Sequence, residues 1–450
     1  MGLKKVGRFD ILKEPKILIL DGMWNKTLAI VRSLGRKGFY LTVGEKTRFA
    51  TALFSRYSNR RVIYPSPLSL PDEFLGWLLT EIKKNNYDMI IPTELATQLL
   101  ILKNRNEIEK YARLPFADYE LISNIQDKAW LIRYAEANGY LCPKTYIPSV
   151  SPFEKGGMGG FSDETHTSLR LTKGDENLSP SPLSPPMKGG EVPYLPSPLA
   201  GEGEGEGGFS EQSIEYPLVI KPRESSGSRG LAYVYKPSEF FAALREVHKK
   251  YPFPLVQEYI PNGGAFGVGA LFNLHSEPRA AFVYKRIREY PVSGGPSTLR
   301  ESVKNDEIKE IAINLLRSLR WVGPAMVEFR VDPRDNKPKL MEINPRFWGS
   351  LHLAILSGID FPYLLYKMAV DGDIDPIWDY KLGVQCRWLI PGDILHLISN
   401  LKRFKLSLDF FKRTHGDDII STSDPMPIIG RVSSILALLF DKDMRRLIFR

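Results

Sequence analysis

Cysteine is nearly absent from the sequence: Cys142 and Cys386 are the only two in 450 residues. With so few thiols, and no Cys/His spacing suited to a metal, neither a disulfide framework nor a zinc module is expected, and a reducing cytosol fits. No apolar run reaches the roughly 18 residues of a membrane-crossing helix. The start of the chain lacks the apolar core of a signal peptide. A soluble, cytoplasmic protein is therefore expected. Two phosphate-binding signatures are missing as well. The first predicted strand is not followed by G-x-G-x-x-G, which leaves a dinucleotide-binding reading with little support, and no G-x-x-x-x-G-K-[ST] occurs. The formal charge is +9, which suits phosphate-bearing ligands, an anionic surface, or solubility alone. The charge is scattered and no reading motif accompanies it, so no nucleic-acid partner is expected.

What is present suggests about two or three domains with real cores, since 43% of the residues are hydrophobic. Lys16–Asp21 reads as a buried strand, Asn25 as the cap of a helix to Leu34, and Phe39–Val43 as the next strand of a parallel βαβ unit. Helix 72–84 and strand Met89–Pro92 continue the alternation. Glu94 then stands at a strand's C-terminal end, where open α/β sheets place ligands; it would serve equally as a cap for helix 95–103. Asp118–Asn138 reads as one helix and Pro143–Ile147 as a strand. From 149 to 208 the composition shifts to Pro, Gly, Ser and charge, with three imperfect copies of a unit that begin at Ser151, Ser181 and Ser197. Such a stretch buries too little to fold alone and reads as a disordered insertion within a domain. Strands resume at Tyr216–Lys221, Leu231–Tyr235, Leu255–Ile260, 266–273 and 279–284. Helices are expected over 238–251, Asn305–Leu319, Leu351–Gly358 and Pro362–Asp371. Beyond about residue 372 lies a basic region with Lys402, Arg403, Lys405, Lys412, Arg413, Arg445 and Arg446. It reads as a small helical cap with a solvated basic face, or as an amphipathic element making peripheral contact with an anionic membrane. The expected fold class is α/β, passing into α+β.

Residues that carry chemistry concentrate near a predicted hairpin. Met326–Asp332 and Leu340–Asn344 read as strands, and Pro333–Pro338 between them is turn-forming at nearly every position. Pairing Asp332 with Pro338 sets Glu328 opposite Glu342, and Glu342 shares a face with Asn344. Like charges facing across a ladder are destabilising, so a cation between them resolves the conflict. Oxygen-only ligands suit Mg²⁺ (or Mn²⁺) held together with substrate phosphates. A solvated hairpin with its acids in water is the alternative, and the apolar remainder of both strands opposes it. Lys221 ends a strand and is followed by Ser225, Ser226, Gly227, Ser228 and Gly230. A lysine before a small-residue loop offers a point charge and backbone N–H groups to phosphate. The stretch Tyr284–Thr298 contains Arg286, Arg288 and Ser297. It reads as facing an acidic substrate, the two arginines sharing a face if this is a strand, or else as surface arginines paired with Glu289 or Glu301.

A β/α unit comes first, then Asp127-Lys128, Val219-Ile-Lys221-Pro, Val256-Gln-Glu-Tyr-Ile260, Val327-Glu328-Phe and Met341-Glu342-Ile-Asn344-Pro-Arg346. In that order these motifs resemble the ATP-grasp superfamily, which includes biotin carboxylase, D-alanine–D-alanine ligase and the large subunit of carbamoyl phosphate synthetase. The likeness is to stand-alone, carbamoyl-phosphate-synthetase-like carboxylate–amine ligases and covers about residues 15–370 apart from the insertion. It implies an ATP-grasp fold with an N-terminal Rossmann-like pre-ATP-grasp domain over 1–113, an ATP-grasp domain over 114–372 and a small C-terminal extension over 373–450. It implies ATP and Mg²⁺ as cofactors. Lys128 and Lys221 would touch the ATP phosphates, the loop 225–230 would close over them, and Gln257, Glu258, Tyr259 and Ile260 would read adenine. Glu328, Glu342 and Asn344 would hold the metal, and Arg346 would steady a phosphorylated intermediate. The acid that family members often place after the hinge to bind ribose is missing from Pro261-Asn-Gly-Gly-Ala-Phe-Gly267. The implied activity is ATP-dependent joining of a small-molecule carboxylate to an amine through an acyl phosphate. Phosphoryl transfer without ligation, and a non-catalytic ATP-binding or membrane-associated role, are the alternatives; the oligomeric state is left open. Deleting residues 155–207 should leave the thermal unfolding temperature and ATP affinity as they are; a collapse in thermal stability would show that the stretch belongs to the core.

Overall fold

Short apolar runs form most strands of this chain, as in Lys16–Ile19, Met89–Ile91 and Leu218–Lys221. The computed structural model describes residues 14–148, 171–172, 215–224, 230–292, 294–400 and 410–438. They form two units, Met1–Ile125 with Asn262–Arg450, and Gln126–Pro261.

The first unit opens with β1 (Lys16–Ile19), α1 (Asn25–Gly35), β2 (Tyr40–Glu45), β3 (Arg60–Ile63), α2 (Pro71–Asn85), β4 (Met89–Ile91), α3 (Leu95–Lys103), α4 (Arg105–Ile108) and α5 (Tyr119–Gln126). Its four strands lie parallel in the order β3-β2-β1-β4. Ile17, Leu18, Ile19, Ile90 and Ile91 are fully buried, as expected where both faces of a parallel sheet are covered. Asn25 does not cap α1: it is the first helical residue, and its side-chain amide donates to Asp418 and accepts from Arg431. The helix foreseen over 118–138 is broken at Asp127, whose carboxylate accepts from the Ala129 N–H and starts a new helix.

The second unit holds α6 (Lys128–Ala137), β5 (Thr145–Pro148), β6 (Leu171–Thr172), β7 (Leu218–Lys221), β8 (Ala232–Val234), α7 (Phe240–Lys250) and β9 (Leu255–Glu258). The strands make one antiparallel sheet, β6-β5-β9-β7-β8. Leu218, Ile220, Val256, Phe240 and Leu244 form its core. Most of the insertion lies outside the described residues, but Leu171–Thr172 is a strand that pairs with Ile147 and Pro148, which the composition alone did not suggest.

The first unit resumes with β10 (Ala265–Phe272), β11 (Pro278–Glu289), β12 (Ser297–Ser302), α8 (Asp306–Ser318), β13 (Gly323–Val331), β14 (Pro338–Asn344), α9 (Leu351–Ser357), α10 (Phe361–Asp371), β15 (Gln385–Arg387), α11 (Ile394–Ser399), β16 (Gly416–Asp417) and α12 (Pro427–Leu438). Seven strands lie in the order β14-β13-β10-β11-β12-β15-β16. The region after 373, expected as a helical extension, therefore adds two strands to the large sheet. It is also tied in by buried ion pairs. Arg300 of β12 holds Asp418. Arg32 of α1 donates to Asp424 at 2.9 Å and to the carbonyls of Ile419 and Asp424. Asp424 further accepts from Ser55 and from the Arg56 N–H. Lys402, Arg403, Lys405, Arg445 and Arg446 lie outside the described residues. Among the described residues no single helix is long and apolar enough to cross a membrane.

Arg32 and Asp424 are each almost fully buried. Removing one partner strands the other charge in the interior, which costs about 3–5 kcal/mol. Asp424→Ala should lower the unfolding free energy by that amount, read as a lower urea midpoint; a loss under about 1 kcal/mol would class the pair with dispensable surface bridges.

Candidate active site

The β13–β14 register carries the acidic pair. Val331 lies opposite Pro338, Arg330 opposite Lys339 and Phe329 opposite Leu340. This is one residue away from the pairing of Asp332 with Pro338 that the turn suggested. A bulge at Met341 absorbs the difference, so Glu328 still faces Glu342, and Met326 faces Asn344. Asn344 donates its amide to Glu342 at 2.8 Å, as a shared face requires.

The row continues across the sheet. Gly267 of β10 lies opposite both Glu328 and Tyr284, and Tyr284 lies opposite Ser302. A Cβ on Gly267 would come within 2.4 Å of the Tyr284 ring. Glycine here lets the phenol lie flat across the sheet next to the acids, where it also bonds Ser350. The Glu328 carboxyl is pushed up to about 7 by burial first, and then by Glu342 and Glu289 against the pull of Arg286. Arg286 pairs with both Glu328 and Glu289. A half-buried carboxylate still short of positive charge, beside a second carboxylate and an amide, is an all-oxygen donor set that fits a hard divalent cation.

Arg286 and Arg288 do not share a face. Arg286 lies opposite Arg300, but Arg288 lies opposite Leu299, because Ile287 bulges out of the ladder. Arg288 is buried, 3.2 Å from Asp393, which also accepts from Arg387 at 2.6 Å. Ser297 turns its hydroxyl to the carbonyls of Arg288 and Leu299. Of the three residues expected to face a substrate in this stretch, the structure brings only Arg286 to the acids.

Glu94 makes no cap bond to α3. Its carboxylate instead accepts from Lys26 Nζ at 2.5 Å. Around it, Asp21 accepts from the Thr93 and Glu94 N–H groups at 2.9 and 2.7 Å and from the Thr97 hydroxyl at 2.6 Å. Asp21 sits at φ 64, a left-handed backbone that a non-glycine residue rarely adopts. Burial, together with the Asp21 charge, pushes the neighbouring Glu45 carboxyl up to about 7. The motif loop reaches this cluster: Gln98 of α3 donates to the Pro345 carbonyl at 2.9 Å, and Arg346 is near enough to depress the Lys26 ammonium. Sequence reasoning missed Asp21, Lys26 and Glu45. The usable signal was Asp21-Gly22 at a strand's end with a lysine in the following helical turn, the place where open sheets bind ligands.

Three more groups with metal-ligating atoms meet at the large sheet: His352, Cys386 and Asp418 lie within 4.8 Å of one another. They come from distant segments, so spacing could not show them. Arg300 already places a positive charge on Asp418. Burial drives the His352 imidazole down to about 4 and the Cys386 thiol well up. Both are neutral at physiological pH, which makes this a packed polar core beside an ion pair.

In the second unit, Lys221 ends β7 with 6% of its surface exposed, and Lys128 opens α6. Arg223 joins the two elements: its carbonyl accepts from the Lys128 N–H at 3.1 Å, and its guanidinium grips Asp127. Gly230, at φ 71, lies against Pro222 and Tyr251 so closely that a Cβ would stand 2.7 and 2.6 Å away. Ser225, Ser226, Gly227 and Ser228 lie outside the described residues. Gln257 is buried and donates to Thr145 at 2.7 Å, so that donor is turned into the sheet. Glu258 accepts from the Lys144 N–H at 2.9 Å, the Tyr259 N–H donates to Pro217, and Ile260 is buried.

Comparison with known proteins shows what this chain is similar to. Residues 266–389 match the family described as ATP-grasp in the biosynthetic pathway with Ter operon. The carbamoyl phosphate synthase large chain of Sulfurisphaera tokodaii is 21% identical over 250 residues, 54% of this chain and 23% of that protein. D-alanine–D-alanine ligase B of Clostridium tetani is 27% identical over 146 residues, 30% of this chain and 40% of that protein. The chain thus spans less than half the length of these two relatives. The crystal structure of a biotin carboxylase–β,γ-ATP complex from Campylobacter jejuni superposes with a TM-score of 0.59 at 14% identity, covering 83% of this chain and 74% of that one. The fold is the ATP-grasp fold, with mixed helices and sheets. Within that fold, residues 266–389 are the part that resembles the matched family.

Gly267→Ala should destabilise the first unit by about 1–3 kcal/mol, because the new methyl and the Tyr284 ring compete for one place. Chemical denaturation checks this; an unchanged midpoint would mean that the ring moves aside freely.

Proposed function

We propose that this protein is an ATP-dependent ligase that phosphorylates a carboxylate and joins the resulting acyl group to an amine. The observation that carries the reading is the opposition of Glu328 and Glu342 on adjacent strands, with Asn344 beside them and Arg346 two residues further on. Carboxylates do not acylate amines in water, because oxide is too poor a leaving group. Transfer of the γ-phosphoryl group of ATP to a carboxylate oxygen gives an acyl phosphate and ADP. The amine then attacks the acyl carbon, the C–O bond to phosphate breaks, and the amine's proton is lost to give the amide.

No protein nucleophile is needed, so the protein's part is to position and to balance charge. Glu328, Glu342 and Asn344 would hold a divalent cation, which supplies charge neutralisation to phosphate oxygens when bound. Arg286 orients Glu328 and pulls it toward its ionised form, against burial and Glu342. Arg346 offers its guanidinium to the carboxylate and then to the acyl phosphate. In the second unit Lys128 and Lys221 would grip ATP phosphates, and the segment Gln257–Ile260 would line the adenine. Arg288 and Ser297, turned toward Asp393 and backbone carbonyls, have structural parts instead.

Glu342→Gln and Lys221→Ala should each lower phosphate release from ATP by about 100-fold or more, with an unchanged circular dichroism spectrum. Wild-type turnover in either variant contradicts the assignment.

A further inference from the structure

Lys26, Glu94 and Arg346 come from three separate parts of the first unit and meet where β1 and β4 end. Lys26 lies in the first turn of α1, with 4% of its surface exposed. Glu94 immediately precedes α3, and Arg346 follows β14. The Gln98–Pro345 hydrogen bond fixes α3 to the loop that carries Arg346. Burying a lysine is expensive, and buried lysines are normally paired. Here Lys26 is paired with Glu94 and drawn also by Asp21, while the Arg346 guanidinium pushes against it. The buried Nε–H of Arg346 has no acceptor among the described residues. One guanidinium hydrogen of Arg346 reaches only the Phe347 carbonyl, at 3.3 Å. The half-buried Arg346 guanidinium therefore keeps a buried donor that an incoming anion would satisfy, next to the Lys26 ammonium.

We propose that Lys26 is a substrate-positioning residue, and that Lys26 and Arg346 together receive the oxyanion of the substrate: the carboxylate first, and the acyl phosphate after transfer. Glu94 holds the ammonium in the free protein and competes with the incoming anion for it. The proposal rests on the ligase reading for the identity of the anion, but binding at this subsite needs no turnover. Lys26 faces Glu94 from the segment before α3, Arg346 from the loop after β14, Asp21 from the end of β1, and the Trp24 ring at 5.8 Å. Burial and Arg346, against the pull of Glu94 and Asp21, bring its ammonium down to about 8. The subsite therefore loses a charge as pH rises past 8.

The test is titration of the full-length protein, saturated with MgADP, with acetyl phosphate as the probe. Wild type and Lys26→Arg should bind it, whereas Lys26→Met weakens binding about tenfold or more. At pH 6, where the Lys26 ammonium stays charged, Glu94→Gln should tighten it several-fold, a change of sign that loss of a merely structural pair would not produce, and should move the loss of affinity with rising pH to below 8. ADP affinity should be the same in all four proteins. Wild-type affinity should fall above pH 8, and that of Lys26→Arg should stay level. Undiminished binding by Lys26→Met, weaker binding by Glu94→Gln at pH 6, an equal loss of ADP affinity, or no binding of the probe by wild type would each overturn the proposal. Failure of the ligase reading shows elsewhere, as an absence of acyl phosphate during ATP turnover, and leaves this titration interpretable.

Discussion

Two carboxylates face each other across adjacent strands, and much of the first unit is arranged around that repulsion. Glu328 and Glu342 could relieve it by a shift of register, but the bulge at Met341 and the hydrophobic residues on either side hold them opposed. A glycine beside them admits a tyrosine ring instead of another chain of contacts, and Arg286 reaches over from β11 to supply part of the missing charge. Holding like charges together in a half-buried place is costly unless something else is bound there. That is the physical reason to read the hairpin as a cation site rather than a stabilising element.

The same unit carries several buried ion pairs, Arg32 with Asp424, Arg300 with Asp418, and Arg288 with Asp393. Each joins segments more than a hundred residues apart in sequence or closes the edge of the large sheet. Such pairs contribute less net stability than apolar packing would, yet losing one partner is severe. They tie the segments around Asp393, Asp418 and Asp424 to the core that positions the acids. Burial keeps the nearby His352 and Cys386 neutral, and Arg300 already supplies the positive charge that Asp418 takes.

Much of the site was legible because its chemistry is local. Glu342-Ile-Asn344-Pro-Arg346 is a contiguous motif, and strand alternation alone places two of its side chains on one face. The opposition of Glu328 and Glu342 was also legible, although by a register that was one residue out at the turn and was corrected by a bulge the sequence does not announce. A second bulge, at Ile287, defeated the same alternation rule and sent Arg288 into the core. Lys26 was invisible for a different reason. Its partners, Glu94 and Arg346, are far away in sequence, and only the folded sheet brings them together. Asp127 was legible as part of a motif but not as a helix break, because the apolar pattern runs through it without interruption.

In the proposed ligase reaction a carboxylate oxygen receives the phosphoryl group. The direct measurement uses carboxylates labelled with ¹⁸O in both oxygens, screened with amines for stimulated phosphate release from ATP. For any carboxylate that stimulates turnover, the released phosphate should carry one ¹⁸O, because the carboxylate oxygen leaves with the phosphoryl group when the amine attacks. Stimulated phosphate that carries oxygen only from ATP and water would contradict an acyl phosphate, and with it the central reading of the site.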